Sequence, residues 1–190
     1  MTAPDQSPPP RTDSPYVGRL VRLRAFEPED VPLMHTWLND GEVQRFQGVR
    51  YPRSTAQVRK AIEEDNGPRY SHLSLAVVTL ADGRLIGDVS LERGSPEDRS
   101  ALIGITIGDK AIWDGGYGTD AMRTLCCVGF QMMNLHRIEL HVFAENERAR
   151  HVYKKIGFHE EGTMRQVLFK NGAYMDDVVM SMLEGELVEG

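Results

Sequence analysis

W-D-G-G-Y-G-T-D-A, residues Trp113 to Ala121, lies between a strand pattern and a helix pattern. Glycines at such a junction let backbone N–H groups converge on an anion at a helix N-terminus, where unpaired donors and the macrodipole favour phosphate. The plainer alternative is a turn that only starts a helix. Gly116, Gly118 and Ala121 also fit the dinucleotide pattern G-x-G-x-x-A, with Glu139 near the distance of a ribose-binding acid. Context argues against nicotinamide binding. That fingerprint should follow its strand almost directly and open a β-α-β series, whereas Asp109 to Trp113 intervene after Gly108 and a hairpin precedes.

Working upstream, A-L-I-G-I-T-I-G (101–108) is an apolar strand, separated by the loop R-G-S-P-E-D-R-S (93–100) from L-I-G-D-V-S-L (85–91). With L-S-L-A-V-V-T-L (73–80) the latter predicts a hairpin, and Asp82-Gly83 favours a type I′ turn. Ser54 and Gln57 form a capping-box pattern for a helix ending near Glu64, stopped by Asn66, Gly67 and Pro68. An earlier helix should start at Pro28, with Glu29 and Asp30 in its first turn, and run to about Asn39. The run from Gly18, with Leu20 alternating against charged neighbours, predicts a first strand.

Downstream, a helix from Gly118 to about Asn134 places Ala121, Leu125, Val128 and Met132 on one face. A strand (136–143) and a helix (146–156) follow, with Gly157 placed to close the helix. Two last strands, about Glu160 to Phe169 and Tyr174 to Leu183, join at Asn171-Gly172. The order β-α-α-β-β-β-α-β-α-β-β predicts an α/β single domain, a mixed and mostly antiparallel sheet flanked by helices. Pro4, Pro8, Pro9, Pro10 and Pro15 mark residues 1–16 as a flexible tail, leaving 17–190 as the domain.

The chain's 190 residues suffice for one domain, and 41% hydrophobic with 26% charged residues is globular composition. A net charge of −6 argues against a nucleic-acid binder working through a bulk basic field. Two adjacent cysteines, Cys126 and Cys127, make no disulfide framework, so a cytoplasmic location is expected. No apolar run approaches a membrane span and no signal-peptide pattern opens the chain. The six histidines show no metal-ligand spacing, so no metal site is expected.

G-I-T-I-G-D-K-A-I-W-D-G-G-Y-G-T-D-A (104–121), N-L-H-R-I-E-L-H-V, A-E-N-E-R-A-R-H-V-Y-K-K-I-G-F and Y-M-D-D-V-V-M-S-M-L together resemble the GNAT superfamily of acyl-CoA-dependent N-acyltransferases. The likeness is greatest to the branch resembling ribosomal-protein N-terminal acetyltransferases. It implies acetyl-CoA as co-substrate and direct acetyl transfer to a primary amine, a small molecule or a protein N-terminus. It also suggests a homodimer. The family's phosphate loop, Q/R-x-x-G-x-G, falls on Trp113, Asp114, Gly115, Gly116, Tyr117, Gly118 and Thr119, with Trp113 at the Q/R place. By the same resemblance the backbone of Ile105, Thr106 and Ile107 pairs with the pantetheine arm. Asn146 lies near the cofactor, and Tyr153 protonates the departing sulfur.

Asn146 could equally cap its helix, and Tyr153 could be a core aromatic whose hydroxyl finds a backbone partner. Leu102 stands where many members of that branch carry Glu, which removes a familiar general base. It also leaves a non-catalytic acyl-CoA sensor as the alternative. Glu92, at a strand end, is a weak replacement, and Asp176 is expected to be structural. Trp37, Arg45, Phe46 and Arg50 fall in the region that walls the acceptor site in the resembled family. Cys126 and Cys127 are expected as buried thiols.

Overall fold

Residues 14–48, 51–64 and 69–188 are described by a computed structural model. The expected tail falls almost wholly outside them, as do Arg50 and the stop at Asn66, Gly67 and Pro68. Tyr16, the last residue of that tail, is half-buried against the core, and its carbonyl accepts the Leu23 N–H at 2.8 Å.

The strands are β1 (Val21–Arg24), β2 (His72–Thr79), β3 (Leu85–Ser95), β4 (Ser100–Ile107), β5 (Arg137–Phe143), β6 (His159–Lys170) and β7 (Ala173–Leu183). They form one seven-stranded sheet in the order β1-β2-β3-β4-β5-β7-β6, antiparallel except between β4 and β5. The helices are α1 (Val31–Leu38), α2 (Thr55–Glu64), α3 (Tyr117–Gln131) and α4 (Glu147–Ile156). Helices α3 and α4 cover one face, where Val89, Leu91, Ile103, Leu125, Ile138, Ile156 and Met180 build the main core. On the other face α1 packs Val31, Met34 and Trp37 against Ala76, Val78 and Leu85. The α/β single-domain architecture expected from the sequence is the one observed.

Several local expectations are corrected. In β1 the buried pair is Val21 and Leu23, while Leu20 is exposed. A short 3-10 turn, Pro28–Asp30, precedes α1. At Asp82-Gly83 only Gly83 has positive φ, and Thr79 pairs with Arg84 across four residues, so the turn is not type I′. The Asp82 carboxylate accepts from the Thr79 hydroxyl and the Arg84 N–H, which holds Asp82 out of the left-handed region. Half of the expected loop at 93–100 is strand, since β3 runs to Ser95 and β4 begins at Ser100. Helix α3 starts one residue before Gly118 and stops at Gln131, so Met132 falls past its end and is 59% exposed.

Candidate active site

Strands β4 and β5 pair only at Ser100–Arg137, Ala101–Ile138 and Leu102–Glu139, and then part. Gly108 N–H bonds the Ile86 carbonyl, and counting back by twos along the antiparallel β3–β4 register pairs Thr106 with Asp88 and Gly104 with Ser90. The backbone groups of Ile105 and Ile107 therefore face the gap, while those of Thr106 are turned to β3. Two side chains reach these carbonyls. Gln47 Nε2 donates to Ile105 at 3.0 Å, and Trp113 Nε1 donates to Ile107 at 2.9 Å.

The glycine loop leads into α3 through two left-handed residues, Asp114 (φ 67°) and Gly116 (φ 84°). The first helical bond runs from Asp120 N–H to the Gly116 carbonyl, so the N–H groups of Tyr117, Gly118 and Thr119 precede it and have no partner among the described residues. Gly115 N–H is spent on the Ile112 carbonyl. A Cβ at Gly118 would lie 3.5 Å from Ile107 and 3.8 Å from Ile105, which places the helix end directly over β4. The Asp120 carboxylate accepts three backbone N–H groups, from Arg19, Leu20 and Val21 at 3.0, 2.7 and 3.0 Å, and so fixes the N-terminal segment beside the loop.

Asn146 is the N-cap of α4, its Oδ1 accepting from Ala149 N–H at 3.2 Å. Two turns on, the Tyr153 ring packs edge-on against Phe158, while its hydroxyl has no hydrogen-bond partner among the described residues. Burial pushes that phenol up to about 12. Arg148, also in the first turn of α4, reaches back to Asp114 in the glycine loop at 2.8 Å.

On the face opposite α3 a cleft of about 1000 Å³ opens beside the gap, lined among others by Gln47, Tyr51, Arg53, Ser90, Glu92, Leu102, Gly104 and His141. Gly104 presents no side chain between Ser90 and His141, which leaves a notch in its floor. His141 Nδ1 lies 3.0 Å from Asp177 and Nε2 3.3 Å from Glu139. Glu139 is held below the usual carboxylate range, chiefly by its hydrogen bond from Arg137.

The profile of the acetyltransferase (GNAT) domain family matches residues 20–159. The chain belongs to the GNAT acetyltransferase family. A spermidine N(1)-acetyltransferase of Vibrio cholerae serotype O1 is 32% identical over 169 residues, spanning 87% of this chain and 94% of that protein. YdaF of Bacillus subtilis, named as a candidate ribosomal N-acetyltransferase, is 30% identical over 174 residues, or 90% and 94% of the two chains. The Vibrio cholerae spermidine N-acetyltransferase solved with CoA and spermine superposes with a TM-score of 0.79 at 28% identity, covering 87% and 96%. As a GNAT protein the chain is an acetyl-CoA-dependent N-acetyltransferase, and acetyl-CoA is its co-substrate.

Trp37 is buried against Gly108, where a Cβ would overlap its ring, and Arg45 stacks on Phe46, which meets Phe143. From the following segment Gln47, Gly48, Tyr51, Pro52, Arg53 and Gln57 line the cleft. Glu92 does line the cleft, and Asp176 accepts from the Gln166 N–H at a bulge of β6. Cys126 is fully buried and Cys127 half-buried.

Sequence reasoning missed Asp88. It shares the cleft-side face of β3 with Ser90 and Glu92, a period-2 signal present in the sequence. Its carboxyl is pushed up to about 7 by burial and then by Glu92. Between about pH 4 and 7 the unfolded chain loses this proton while the folded chain keeps it, so stability falls through that window, and above 7 the penalty is complete. Asp88→Asn should leave stability at pH 4 nearly unchanged and raise it at pH 8 by up to about 4 kcal/mol. Thermal melts at the two pH values check this; an equal gain at both would mean that burial of the charge is not the cause.

Proposed function

We propose that the protein transfers the acetyl group of acetyl-CoA directly to a primary amine, a polyamine-like small molecule or a protein N-terminus, held in the Gly104 notch. The observation that carries this reading is the parting of β4 from β5, which leaves the backbone of Ile105 and Ile107 paired with no strand, between an unpaired helix N-terminus and the cleft. The fit to the cofactor is chemical. Unpartnered N–H groups at Tyr117, Gly118 and Thr119 suit phosphate oxygens, and strand carbonyls suit amide donors. When bound, acetyl-CoA supplies the activated thioester.

The remaining work falls to this chain. An amine attacks only when neutral, and Leu102 takes no proton, whereas His141 lines the notch with Asp177 orienting its ring. Tyr153, protonated at neutral pH, supplies a proton to the leaving sulfur. The polyamine option follows the Vibrio cholerae relative and the N-terminal option the ribosomal-protein-like branch.

Thiol release from acetyl-CoA, followed with spermidine, spermine and a peptide amine, tests the reading. Turnover with one of them supports it, and tight acetyl-CoA binding without turnover across the panel selects the sensor alternative. By calorimetry Gly118→Val should weaken CoA binding at least about tenfold, since branched carbons crowd the space between the helix end and β4 at a position whose own packing tolerates a Cβ. Unchanged affinity in the folded variant refutes the loop's role.

A further inference from the structure

Gln47 belongs to both sides of the site. Its position is on the wall of the acceptor cleft, yet its carboxamide crosses to β4 and donates to the Ile105 carbonyl in the gap. The segment carrying it is held from afar. Lys170, at the tip of the β6–β7 hairpin, donates to the carbonyls of Gln44 and Gln47 at 2.6 and 2.5 Å. Burial lowers the pKa of this ammonium. Gln44 Nε2 binds the Trp37 carbonyl at 3.0 Å. The strap is thus anchored at both ends, and Gln47 is its inward-reaching side chain.

A strand carbonyl facing an open gap is an acceptor for any extended ligand that carries amide N–H groups. The Gln47 carboxamide is the same chemical group, set on that carbonyl from within the chain. We infer that Gln47 is an internal stand-in for the amide arm of acetyl-CoA, displaced from Ile105 when the co-substrate binds and thereby released into the acceptor cleft. This rests on the reading of the gap as the acetyl-CoA site. The consequence is an order of events: the amine meets its complete cleft, with Gln47 beside Tyr51, Arg53 and His141, only after acetyl-CoA has entered.

Calorimetry on the full chain with two probes tests this, CoA and adenosine 3′,5′-bisphosphate, which keeps the 3′-phosphate and one phosphate of the pyrophosphate but has no amide arm. Gln47→Met keeps the side chain's length and removes the donor; Gln47→Ala removes both. With no competitor for Ile105, both variants should bind CoA about three- to tenfold more tightly. Their affinity for the bisphosphate should match the wild type. Unchanged or weaker CoA binding in both variants overturns the inference, as does equal tightening for the two probes, which would mark a general change in the protein. Failure of the wild-type protein to bind CoA would instead overturn the assignment of the gap.

Discussion

Tyr153→Phe should lower kcat by about a hundredfold while leaving acetyl-CoA affinity and stability close to wild type. The substitution keeps the ring that packs on Phe158 and removes only a hydroxyl with no partner among the described residues. Since that hydroxyl makes no such bond, its loss leaves none broken, and a structural role has nothing to act through. The phenol's upward shift to about 12 adds a second signature. An ordinary tyrosine would begin to lose its proton near pH 10, so the acid would fade on the basic side. Here kcat should hold through pH 10, because the folded protein keeps the proton until about 12. Near-normal kcat in the Phe variant, with the amine that gives turnover, would send the proton to sulfur by another route. His141→Ala supplies the opposite contrast: its loss of rate should shrink as pH approaches the acceptor's own pKa, where the amine arrives neutral.

Asp120→Ala should destabilise the fold by about 3 kcal/mol, measured by urea unfolding. The residue is 8% exposed, and its carboxylate serves three successive N–H groups of the segment that begins β1. Removing it strands those donors, the innermost on fully buried Val21, and takes a negative charge from the first turn of α3. The site should suffer with the fold, because the Leu20 side chain held in this way lies beside Gly116. A loss below about 1 kcal/mol would mean that water replaces the carboxylate.

What could be foreseen from the sequence was local in origin. The Ser54–Gln57 box closes in both directions, at 2.8 and 3.2 Å, because its two members lie one turn apart and need nothing else. Asn171 and Gly172 both take positive φ in a two-residue turn, whereas Asp82-Gly83, a similar pair, does not, since Thr79 and Arg84 recruit the Asp82 carboxylate. The dipeptide alone does not reveal that competition. A ligand-pairing role for the backbone of Ile105 to Ile107 was expected only through family resemblance, for no period in I-T-I-G says where a neighbouring strand leaves. Contacts that assemble the cleft are remote in sequence: Lys170 lies 123 residues from Gln47, and Asp177 lies 36 from His141. Asp120 was legible as part of a glycine loop, but not as the partner of residues a hundred positions earlier.

The chain has two tryptophans, and both sit at the end of β4. Trp37 lies flat on Gly108, and the Trp113 indole N–H is tied to the Ile107 carbonyl. Their fluorescence is therefore a built-in optical gauge of the last residues of this strand. Emission wavelength and quenching should change as CoA is titrated into the proposed gap, with no attached dye, and a stopped-flow mixing trace would then time its arrival separately from the chemistry that follows.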